Sequence, residues 1–230
     1  MDTTTAIILV GGRGTRLGSL TDNTPKPLLP VAGRPFLLHL LDYLNQQGIT
    51  HVVLSTGFLA SQFDSTLGDS YKDIRITYAL EESPLGTGGA IQNAFSKIDD
   101  TKAFVLNGDT LFQVDLNHLE STHNEAKAEI TIALRSVPDV SRYGHITLEG
   151  HRIIKMHEKG STGPGLINGG TYLIEHATYK PDAFIDEHSF EKRTIPDAIV
   201  RSAAHGLVQD VYFIDIGIPS DLEKAGKDLA

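Results

Sequence analysis

The sequence predicts an α/β fold in which helices cover both faces of a mixed, mostly parallel β-sheet within a single domain. Three observations support this prediction. In the first half of the chain, apolar runs typical of buried strands alternate with segments of helical periodicity, which favours parallel strand pairing. In the second half, strand-like runs follow one another across short loops, which favours antiparallel pairing. No linker, low-complexity segment or internal repeat divides the 230 residues, of which 40% are hydrophobic.

The alternating elements occupy the first half of the chain. AIILV has no polar residue and predicts a fully buried strand, while HVVLS, IRITYAL and AFVLNGD predict three more strands. FLLHLLDYLNQQG and FLASQFDSTLG carry apolar residues at helical spacing and end in glycine, and GGAIQNAFSKI has the same spacing. The predicted elements are a strand at 6–10, a helix at 36–48, a strand at 51–55, a helix at 58–68, a strand at 74–80, a helix at 88–98 and a strand at 103–109.

After about residue 125 the pattern changes to a series of strands. AEITIALRS, HITLE, RIIKMHE and LINGGTYLIE are strand-like, and the loop between the second and third of them is only a few residues long. IPDAIVRSAAHG and SDLEKAGKDL are helix-like, with the short run VYFIDIG between them. The predicted elements are strands at 128–136, 145–149, 152–158 and 166–175, a helix at 195–206, a strand at 211–217 and a helix at 220–229.

Composition excludes several classes of protein. The net charge of −9 argues against a nucleic-acid-binding protein, which needs a broad basic surface, although it allows a local basic pocket. The chain has no cysteine, so disulfides and thiolate metal sites are excluded. MDTTTAIILV lacks the features of a signal peptide, and no apolar run approaches the roughly 20 residues of a membrane span. We therefore expect a soluble cytoplasmic protein with neither nucleic acid nor membrane as a partner.

The first predicted strand runs directly into the loop GGRGTR, whose composition suits phosphate binding. In a parallel α/β sheet, ligands bind beyond the carboxyl ends of the strands. Gly11, Gly12 and Gly14 allow a tight turn with backbone N–H groups free for phosphate oxygens. Arg13 and Arg16 add positive charge that pairs well with phosphate. Taken alone, the loop favours phosphate binding, and the alternative is a glycine-rich turn whose arginines are solvated.

Two familiar nucleotide-binding patterns do not match this loop. The Walker pattern GxxxxGK[ST] is absent, and in the dinucleotide pattern GxGxxG the third glycine falls one place late, at Gly18. The segment that follows, TPKPLLPVAGRP at 24–35, contains four prolines and holds Lys26 between two of them. A stiff backbone lowers the entropy cost of placing a lysine against a phosphate. The alternative interpretation is a proline-rich loop with an exposed lysine.

Together, GGRGTRL and TPKPLLPVAGRP resemble the signature of sugar-1-phosphate nucleotidyltransferases, and the resemblance continues to IDIGIPSDL at 214–222. It implies a Rossmann-like fold of the nucleotidyltransferase or glycosyltransferase-A-like kind. It also implies an enzyme that joins a nucleoside triphosphate to a sugar 1-phosphate and releases pyrophosphate. Residues 1–125 would form the nucleotide-binding half, and residues 126–230 the sugar-phosphate-binding half.

The resemblance assigns roles to the residues of these motifs. Arg16 would contact the departing phosphates, and Lys26 the phosphate under attack, where positioned cations stabilise the developing charge. With Asp109 they form the expected catalytic set. The resemblance implies nucleotide contacts from Leu9, Gly11, Gly12, Gly14, Thr15, Arg16, Glu81, Glu82, Gly86, Thr87 and Asn107.

The segment EESPLGTGGA at 81–90 resembles the base-recognition segment of the family. Gly86 would permit close approach of the base. Glu81 or Glu82 could accept hydrogen bonds from guanine N1–H and N2–H, whereas uracil and thymine offer a single N–H. The acidic pair therefore favours guanine, and the alternative is an exposed acidic turn.

Two aspartates follow predicted strands and resemble the metal ligands of the family. Asp109 belongs to NGDT and Asp215 to IDIG. Two carboxylates together with phosphate oxygens suit Mg²⁺, a hard cation that prefers oxygen ligands. A lone aspartate at a strand end is more often a turn or cap residue, so the assignment depends on the nearby phosphate loop. The ten histidines show no HExxH-like spacing, and we assign none of them to a metal.

Motifs of the second half resemble the sugar-binding segments of the family. RYGHI places Gly144 at the sugar site, HEKG offers Glu158 for sugar hydroxyls and Lys159 for the sugar phosphate, and GLINGGTYL offers Asn168. An adjacent Glu-Lys pair is ordinarily a surface feature, so this assignment depends on the resemblance alone. The oligomeric state is open, a homo-oligomer included.

Six short motifs together resemble one branch of the family, which transfers GMP from GTP to D-glycero-α-D-manno-heptose 1-phosphate. The motifs are PLGTGGAI, VLNGDT, RYG, GLINGG, SFE and YFIDIGIP. Alternatives with the same chemistry are a mannose-1-phosphate guanylyltransferase and an amino-sugar-1-phosphate uridylyltransferase. An alternative of another class is a non-catalytic nucleotide-sugar-binding protein, which the presence of Arg16, Lys26 and the aspartates disfavours.

Overall fold

The computed structural model describes residues 1–179 and 186–230. Most of its strands belong to one large sheet, and the others form two small two-stranded sheets. In chain order the strands of the described ranges are β1 (Thr5–Leu9), β2 (Pro30–Val31), β3 (Arg34–Pro35), β4 (His51–Thr56), β5 (Ser70–Tyr71), β6 (Ile74–Leu80), β7 (Lys102–Asn107), β8 (Thr110–Phe112), β9 (Ile130–Val137), β10 (His145–Glu149), β11 (Arg152–Met156), β12 (Gly165–Glu175), β13 (Ala204–Val208) and β14 (Phe213–Asp215).

Helices connect and cover these strands. The α-helices of the described ranges are α1 (Phe36–Gln46), α2 (Ser61–Leu67), α3 (Gly86–Phe95), α4 (Leu116–Ala126), α5 (Ile195–Val200) and α6 (Pro219–Asp228). Shorter helical turns are Thr15–Thr21, Lys26–Leu28, His176–Thr178 and Phe190–Thr194, the last of which leads directly into α5. No helix in the described part of the chain is long and apolar enough to cross a membrane.

The large sheet has the strand order β10-β11-β13-β9-β12-β7-β1-β4-β6-β5. Strands β7, β1, β4 and β6 are parallel, as the alternation of strands and helices predicts. β12 lies antiparallel between β7 and β9 and so joins the two halves of the chain in one sheet. Because β10 also pairs with β12, the strands β9, β12, β10, β11 and β13 close into a ring. Antiparallel pairing is therefore more extensive than the sequence pattern indicates.

Two apolar layers hold helices against the two faces of the sheet. In β1, Ile8 faces one layer and its neighbour Ile7 the other, and both are fully buried. Helices α1, α2, α4 and α6 pack on the Ile8 side, and α3 and α5 pack on the Ile7 side. A strand buried on both faces needs an uninterrupted apolar sequence, which explains why AIILV lacks the alternation of a half-exposed strand.

Most of the predicted elements are confirmed to within a few residues, but one is wrong in part. The helix predicted at 195–206 ends at Val200, and Ser202 takes a left-handed conformation with φ of 58°. The chain then enters β13, which pairs in parallel with β9. Tertiary strand pairing therefore overrides the helical pattern of the sequence.

Two further segments differ from the prediction, residues 116–126 and residues 211–217. Helix α4 was not expected, because its sequence LNHLESTHNEA is mostly polar. Asp115 caps it by accepting a hydrogen bond from the His118 backbone at 3.1 Å, and Leu116, Leu119 and His123 form its buried stripe. The strand predicted at 211–217 is shorter, Phe213–Asp215, and pairs with β8 outside the large sheet.

Candidate active site

A cavity of about 480 Å³ opens where the parallel strands β1, β4, β6 and β7 end. This is the position at which α/β sheets bind ligands, because the carboxyl ends of the strands and the following loops meet there. The lining residues are Leu9, Val10, Gly11, Gly12, Gly14, Thr15, Arg16, Lys26, Pro27, Ser55, Glu81, Pro84, Gly86, Thr87, Ala90, Asn107, Asp109 and Glu191.

Twelve of the residues predicted from the sequence lie together in this lining. They come from segments spread over the first half of the chain, and the fold brings them around one space. The twelve are Leu9, Gly11, Gly12, Gly14, Thr15, Arg16, Lys26, Glu81, Gly86, Thr87, Asn107 and Asp109.

The loop after β1 is held closely against its neighbours. Val10 N donates to Ser55 O at 3.0 Å, and Phe58 N donates to Gly11 O at 3.3 Å. A Cβ on Gly11 would lie 2.9 Å from Glu81 Oε1 and 3.2 Å from Gly57 N, so a larger residue here would displace the Glu81 carboxylate. Gly14 has φ of 64°, a left-handed conformation that favours glycine.

The two arginines of the loop differ in position. Arg16 lines the cavity, and its guanidinium lies close to Gly217, where a Cβ would be 3.1 Å from Arg16 Nη2. Arg13 lies instead over the ring of Phe58, with its guanidinium carbon 5.5 Å from the ring centroid. Arg16 is therefore the arginine of the loop that contributes its charge to the cavity.

Lys26 is a buried cation at the floor of the cavity. It begins a short helical turn between Pro25 and Pro27, and only 5% of the residue is exposed. Its Nζ lies 2.5 Å from Asp109 Oδ2 and 3.9 Å from Asp215 Oδ1. A buried ammonium group requires such partners, because an unpaired charge inside a protein is very costly.

The two aspartates meet because β8 and β14 pair. Asp215 lies opposite Thr110 in this pairing, and Ile216 N donates to Asp109 O at 3.0 Å. Asp215 Oδ1 is buried and accepts no hydrogen bond from any residue in the described ranges. Burial raises the pKa of Asp215, the charge of Asp109 adds to the rise, and Lys26 opposes it.

This donor set fits a divalent cation. Two hard carboxylates lie side by side, and one oxygen of Asp215 is buried without a hydrogen-bond donor. The described residues contain no group of three or more histidine or acidic side chains arranged to hold a metal. Water molecules and oxygen atoms from a ligand would therefore complete the coordination of a cation at Asp109 and Asp215.

Of the acidic pair at 81–82, the structure places only Glu81 in the cavity. Ser55 Oγ donates to Glu81 Oε1 at 3.2 Å, and Leu85 N donates to Glu81 Oε2 at 3.1 Å. These contacts fix the carboxylate while leaving each oxygen able to accept a further hydrogen bond. Glu82 is exposed and lies outside the lining.

The requirement for glycine at position 86 has a cause that the sequence does not suggest. Gly86 lines the cavity, but a Cβ there would lie 2.5 Å from the carbonyl oxygen of His188. Its φ is 67°, and Gly88 N donates to the same carbonyl at 2.9 Å. The segment before Phe190–Thr194 thus occupies the space beside α3 and by itself requires a glycine here, and the close approach of a base stays a prediction.

The four residues predicted for the sugar site do not line the cavity. Glu158 and Lys159 are exposed, and Gly144 packs against His157, whose carbonyl oxygen would be 2.5 Å from a Cβ. Asn168 Nδ2 donates to the Tyr172 hydroxyl at 2.9 Å, and Asn168 Oδ1 accepts from Gly170 N at 2.9 Å. Their roles therefore stay predictions.

Glu191 lines the cavity and was assigned no role from the sequence. Thr87 Oγ1 donates to Glu191 Oε2 at 2.7 Å, and Ser189 Oγ donates to the same oxygen at 3.0 Å. The motif SFE drew attention to this position as a family resemblance only. Because Thr87 and Glu191 lie 104 residues apart, no local pattern predicts that they meet.

The chain is similar in sequence to a family of known proteins. The family model described as Nucleotidyl transferase matches residues 5–230. The chain is 42% identical over 224 residues to the D-glycero-alpha-D-manno-heptose 1-phosphate guanylyltransferase of Aneurinibacillus thermoaerophilus, with 97% of each chain covered. It is 38% identical to the mannose-1-phosphate guanylyltransferase of Mycobacterium tuberculosis, covering 97% of this chain and 64% of that protein.

Among solved structures, the chain resembles HddC from Yersinia pseudotuberculosis complexed with GMP-PN. The TM-score is 0.87 at 35% identity, and the match covers 99% of this chain and 100% of that one. This similarity, which extends over both halves of the chain, confirms the predicted single-domain α/β fold class.

Proposed function

Because this chain belongs to the nucleotidyl transferase family, we propose that it is a sugar-1-phosphate guanylyltransferase. It transfers GMP from GTP to D-glycero-α-D-manno-heptose 1-phosphate and releases pyrophosphate, and the GDP-heptose product serves the synthesis of capsule or other surface glycans. The observation that carries this proposal is the single cavity that holds Arg16 and Lys26 together with the carboxylate of Glu81. The relatives that match over almost their full length carry the same activity in their names.

The reaction requires charge stabilisation more than covalent chemistry. An oxygen of the sugar phosphate attacks the α-phosphorus of GTP and forms a new P–O bond. The bond between the α-phosphorus and the oxygen that bridges to the β-phosphorus breaks, and its electron pair leaves with pyrophosphate. Arg16 and Lys26 face the charge that builds on the departing and equatorial oxygens, and their fixed positions make them effective.

Mg²⁺ is the proposed cofactor, held by Asp109 and Asp215. When bound, it would neutralise phosphate charge and orient the phosphate oxygens. The pairing of β8 with β14 holds the two carboxylates together, and Lys26 lies against both of them. The carboxylates and the lysine thus keep opposite charges near one another on the phosphate side of the cavity.

Base choice depends on Glu81 in this proposal. Its carboxylate is oriented by Ser55 and by the backbone of Leu85, and it faces the cavity beyond β4 and β6. A carboxylate accepts two parallel hydrogen bonds from guanine N1–H and N2–H, which uracil and thymine cannot both supply. Guanine is therefore the base that this side chain favours.

A mannose-1-phosphate guanylyltransferase is the second candidate. The 38% identity to the Mycobacterium tuberculosis relative favours it, and the chemistry at the phosphates would be identical. The two candidate functions differ only in the sugar whose hydroxyls the enzyme must recognise. A non-catalytic nucleotide-sugar-binding protein is disfavoured, because binding alone does not require the pairing of the buried Lys26 with Asp109.

A pyrophosphate-release assay with Mg²⁺ tests these alternatives together. It crosses GTP, UTP, ATP, CTP and dTTP with heptose 1-phosphate, mannose 1-phosphate and N-acetylglucosamine 1-phosphate. We expect release with GTP and heptose 1-phosphate only. Release with mannose 1-phosphate would favour the second candidate, release with UTP or dTTP would contradict the role of Glu81, and no release in any combination would contradict the enzymatic proposal.

A further inference from the structure

Glu191 is a carboxylate of the cavity that the phosphate chemistry does not use. It belongs to the helical turn Phe190–Thr194, in the second half of the chain, and reaches the cavity beside the start of α3. Phe190 anchors the turn, since it is fully buried and packs edge-on against Tyr172 at 5.1 Å between ring centroids. A side chain mounted on such an anchored turn has a defined position.

Hydrogen bonds fix one oxygen of this carboxylate and leave the other free. Thr87 Oγ1 and Ser189 Oγ both donate to Oε2, at 2.7 and 3.0 Å. Thr87 is held in turn, because Phe190 N donates to its hydroxyl oxygen at 2.9 Å. Within the described ranges no residue donates to Glu191 Oε1, so this oxygen can accept a hydrogen bond from a ligand.

The charge around Glu191 indicates which part of a ligand it can meet. No lysine, arginine or histidine of the described ranges forms an ion pair with it, whereas Arg16 and Lys26 lie elsewhere in the same lining. An unneutralised carboxylate repels phosphate and attracts hydroxyl or N–H donors. The group that faces Glu191 is therefore a hydrogen-bond donor without negative charge.

Three donor-bearing groups are available in the proposed reaction, the base of GTP, its ribose and the acceptor sugar. Glu81 already provides a fixed carboxylate for the base, at the ends of β4 and β6. Glu191 lies near Tyr172, whose hydroxyl accepts from Asn168 at 2.9 Å. Phe190, the neighbour of Glu191, packs against the ring of the same Tyr172. The turn that carries Glu191 is thus connected through Tyr172 to Asn168, the residue that the family resemblance assigns to the sugar.

We propose that Glu191 is a specificity-determining residue that accepts, through Oε1, a hydrogen bond from a hydroxyl of the sugar 1-phosphate. This inference rests on the proposed function and names a contact for it. A carboxylate that Thr87 and Ser189 hold in place selects for a sugar with a hydroxyl at one position. A sugar that lacks this hydroxyl leaves the carboxylate desolvated and unpaired, which lowers its affinity.

The first test compares wild type with Glu191→Gln, which keeps the shape of the side chain and removes its charge. We expect KM for the sugar 1-phosphate to rise by roughly 10- to 100-fold, the range for hydrogen bonds to charged groups. KM for GTP should stay within about twofold, since GTP does not meet Oε1. Glu187→Gln is the matched control, because Glu187 is an exposed glutamate of the same segment and outside the cavity. It should leave both KM values unchanged.

The second test begins with wild type, whose result does not depend on how a variant folds. Monodeoxy analogues of the accepted sugar 1-phosphate are assayed one position at a time. We expect one position whose removal costs wild type roughly 10- to 100-fold in kcat/KM. The same removal should cost Glu191→Gln much less, because the lost hydroxyl no longer meets a charge.

The outcomes separate this inference from the proposed function. An inactive wild type across all nucleotides and sugars would overturn the proposed function, and the inference with it. An active wild type with an unchanged sugar KM in Glu191→Gln would overturn the inference alone. A rise in KM for GTP instead of the sugar would do the same and would assign Glu191 to the nucleotide.

Discussion

Lys26 and Asp109 form an ion pair in which the lysine is buried and the aspartate is partly exposed, with Lys26 Nζ 2.5 Å from Asp109 Oδ2. The lysine is 5% exposed, and the aspartate follows β7, more than eighty residues later in the chain. Asp215 approaches the same ammonium group at 3.9 Å. One cation thus lies between two carboxylates, at the end of the cavity where the phosphates of GTP are proposed to bind. Substitutions of these residues should therefore change catalysis more than they change folding.

Lys26→Met is expected to lower kcat by roughly 100- to 1,000-fold, as removal of one positioned charge-stabilising group does. Pyrophosphate release at saturating substrates measures this, and circular dichroism monitors the fold. Lys72→Met is the matched control, because Lys72 is exposed and pairs with Asp42 at the surface. Turnover of Lys26→Met within threefold of wild type would contradict the role of this lysine.

Gly217→Ala tests the positions of Arg16 and Asp215, whose side chains both lie close to Gly217. An added Cβ would lie 2.8 Å from Asp215 Oδ1 and 3.1 Å from Arg16 Nη2. Both are ends of side chains and can move, so the fold should persist while turnover falls by roughly 10- to 100-fold through misplacement. Gly226→Ala is the control. It has open space around it in α6 and should add up to about 1 kcal/mol of stability without changing turnover.

The parts of the fold that local pattern determines could be predicted from the sequence. AIILV needed no tertiary information, because a run without polar residues has to be buried on both faces. The segment 201–206 could not be predicted in this way. Its helical pattern continues that of α5, but from Ala204 onwards the chain pairs in parallel with β9. The segment of α4 has only weak helical features in its sequence. Asp115 precedes it as a capping residue and its leucines have helical spacing, but most of its residues are polar.

The candidate site likewise contains residues that could be predicted from the sequence and residues that could not. Gly11, Arg16 and Lys26 lie in short motifs whose chemistry is legible in the sequence, and all three line the cavity. Glu191 depends on a contact with Thr87 across the fold, which only three-dimensional packing creates. Gly86 shows the intermediate case, since the sequence indicates a required glycine but not that His188 is the neighbour that requires it.

Glu81→Gln is expected to raise KM for GTP by roughly 10- to 100-fold, because the amide replaces one acceptor by a donor that faces the donors of guanine. Inosine triphosphate, which lacks the 2-amino group, sharpens the test. Wild type should prefer GTP to it, and the variant should lose most of this preference. Glu82→Gln is the matched control, since its side chain is exposed outside the cavity. Equal effects of the two variants would contradict the assignment of Glu81.

Asp215→Asn should weaken catalysis and strengthen the fold. Burial and Asp109 raise the pKa of Asp215, so its ionised form costs the folded state free energy at every pH above that raised pKa. The cost disappears as the pH falls towards the ordinary range of aspartate. In EDTA at neutral pH the variant should therefore melt higher, by roughly 2–4 °C for each kcal/mol gained. Its activity should need more Mg²⁺, and a lower melting temperature with an unchanged Mg²⁺ titration would contradict both roles.

His123 is expected to make the protein sensitive to acid. The ring is buried, with Nδ1 2.8 Å from Thr131 Oγ1 and Nε2 3.1 Å from Glu175 Oε1. Burial lowers the pKa of His123, although Glu175 opposes part of the effect. Below the ordinary histidine pKa of about 6.5, the unfolded chain therefore binds a proton that the folded chain does not, and stability falls as the pH falls.

His123→Gln should reduce this slope of the free energy of unfolding between pH 7 and pH 5. One proton contributes at most about 1.4 kcal/mol per pH unit, so the reduction cannot exceed that value. Some slope will remain, because burial also lowers the pKa values of His51, His157 and His205. Urea titrations across this range measure it. His118→Gln, an exposed histidine of the same helix, should keep the wild-type slope, and an equal slope in His123→Gln would assign the acid sensitivity to the other three histidines.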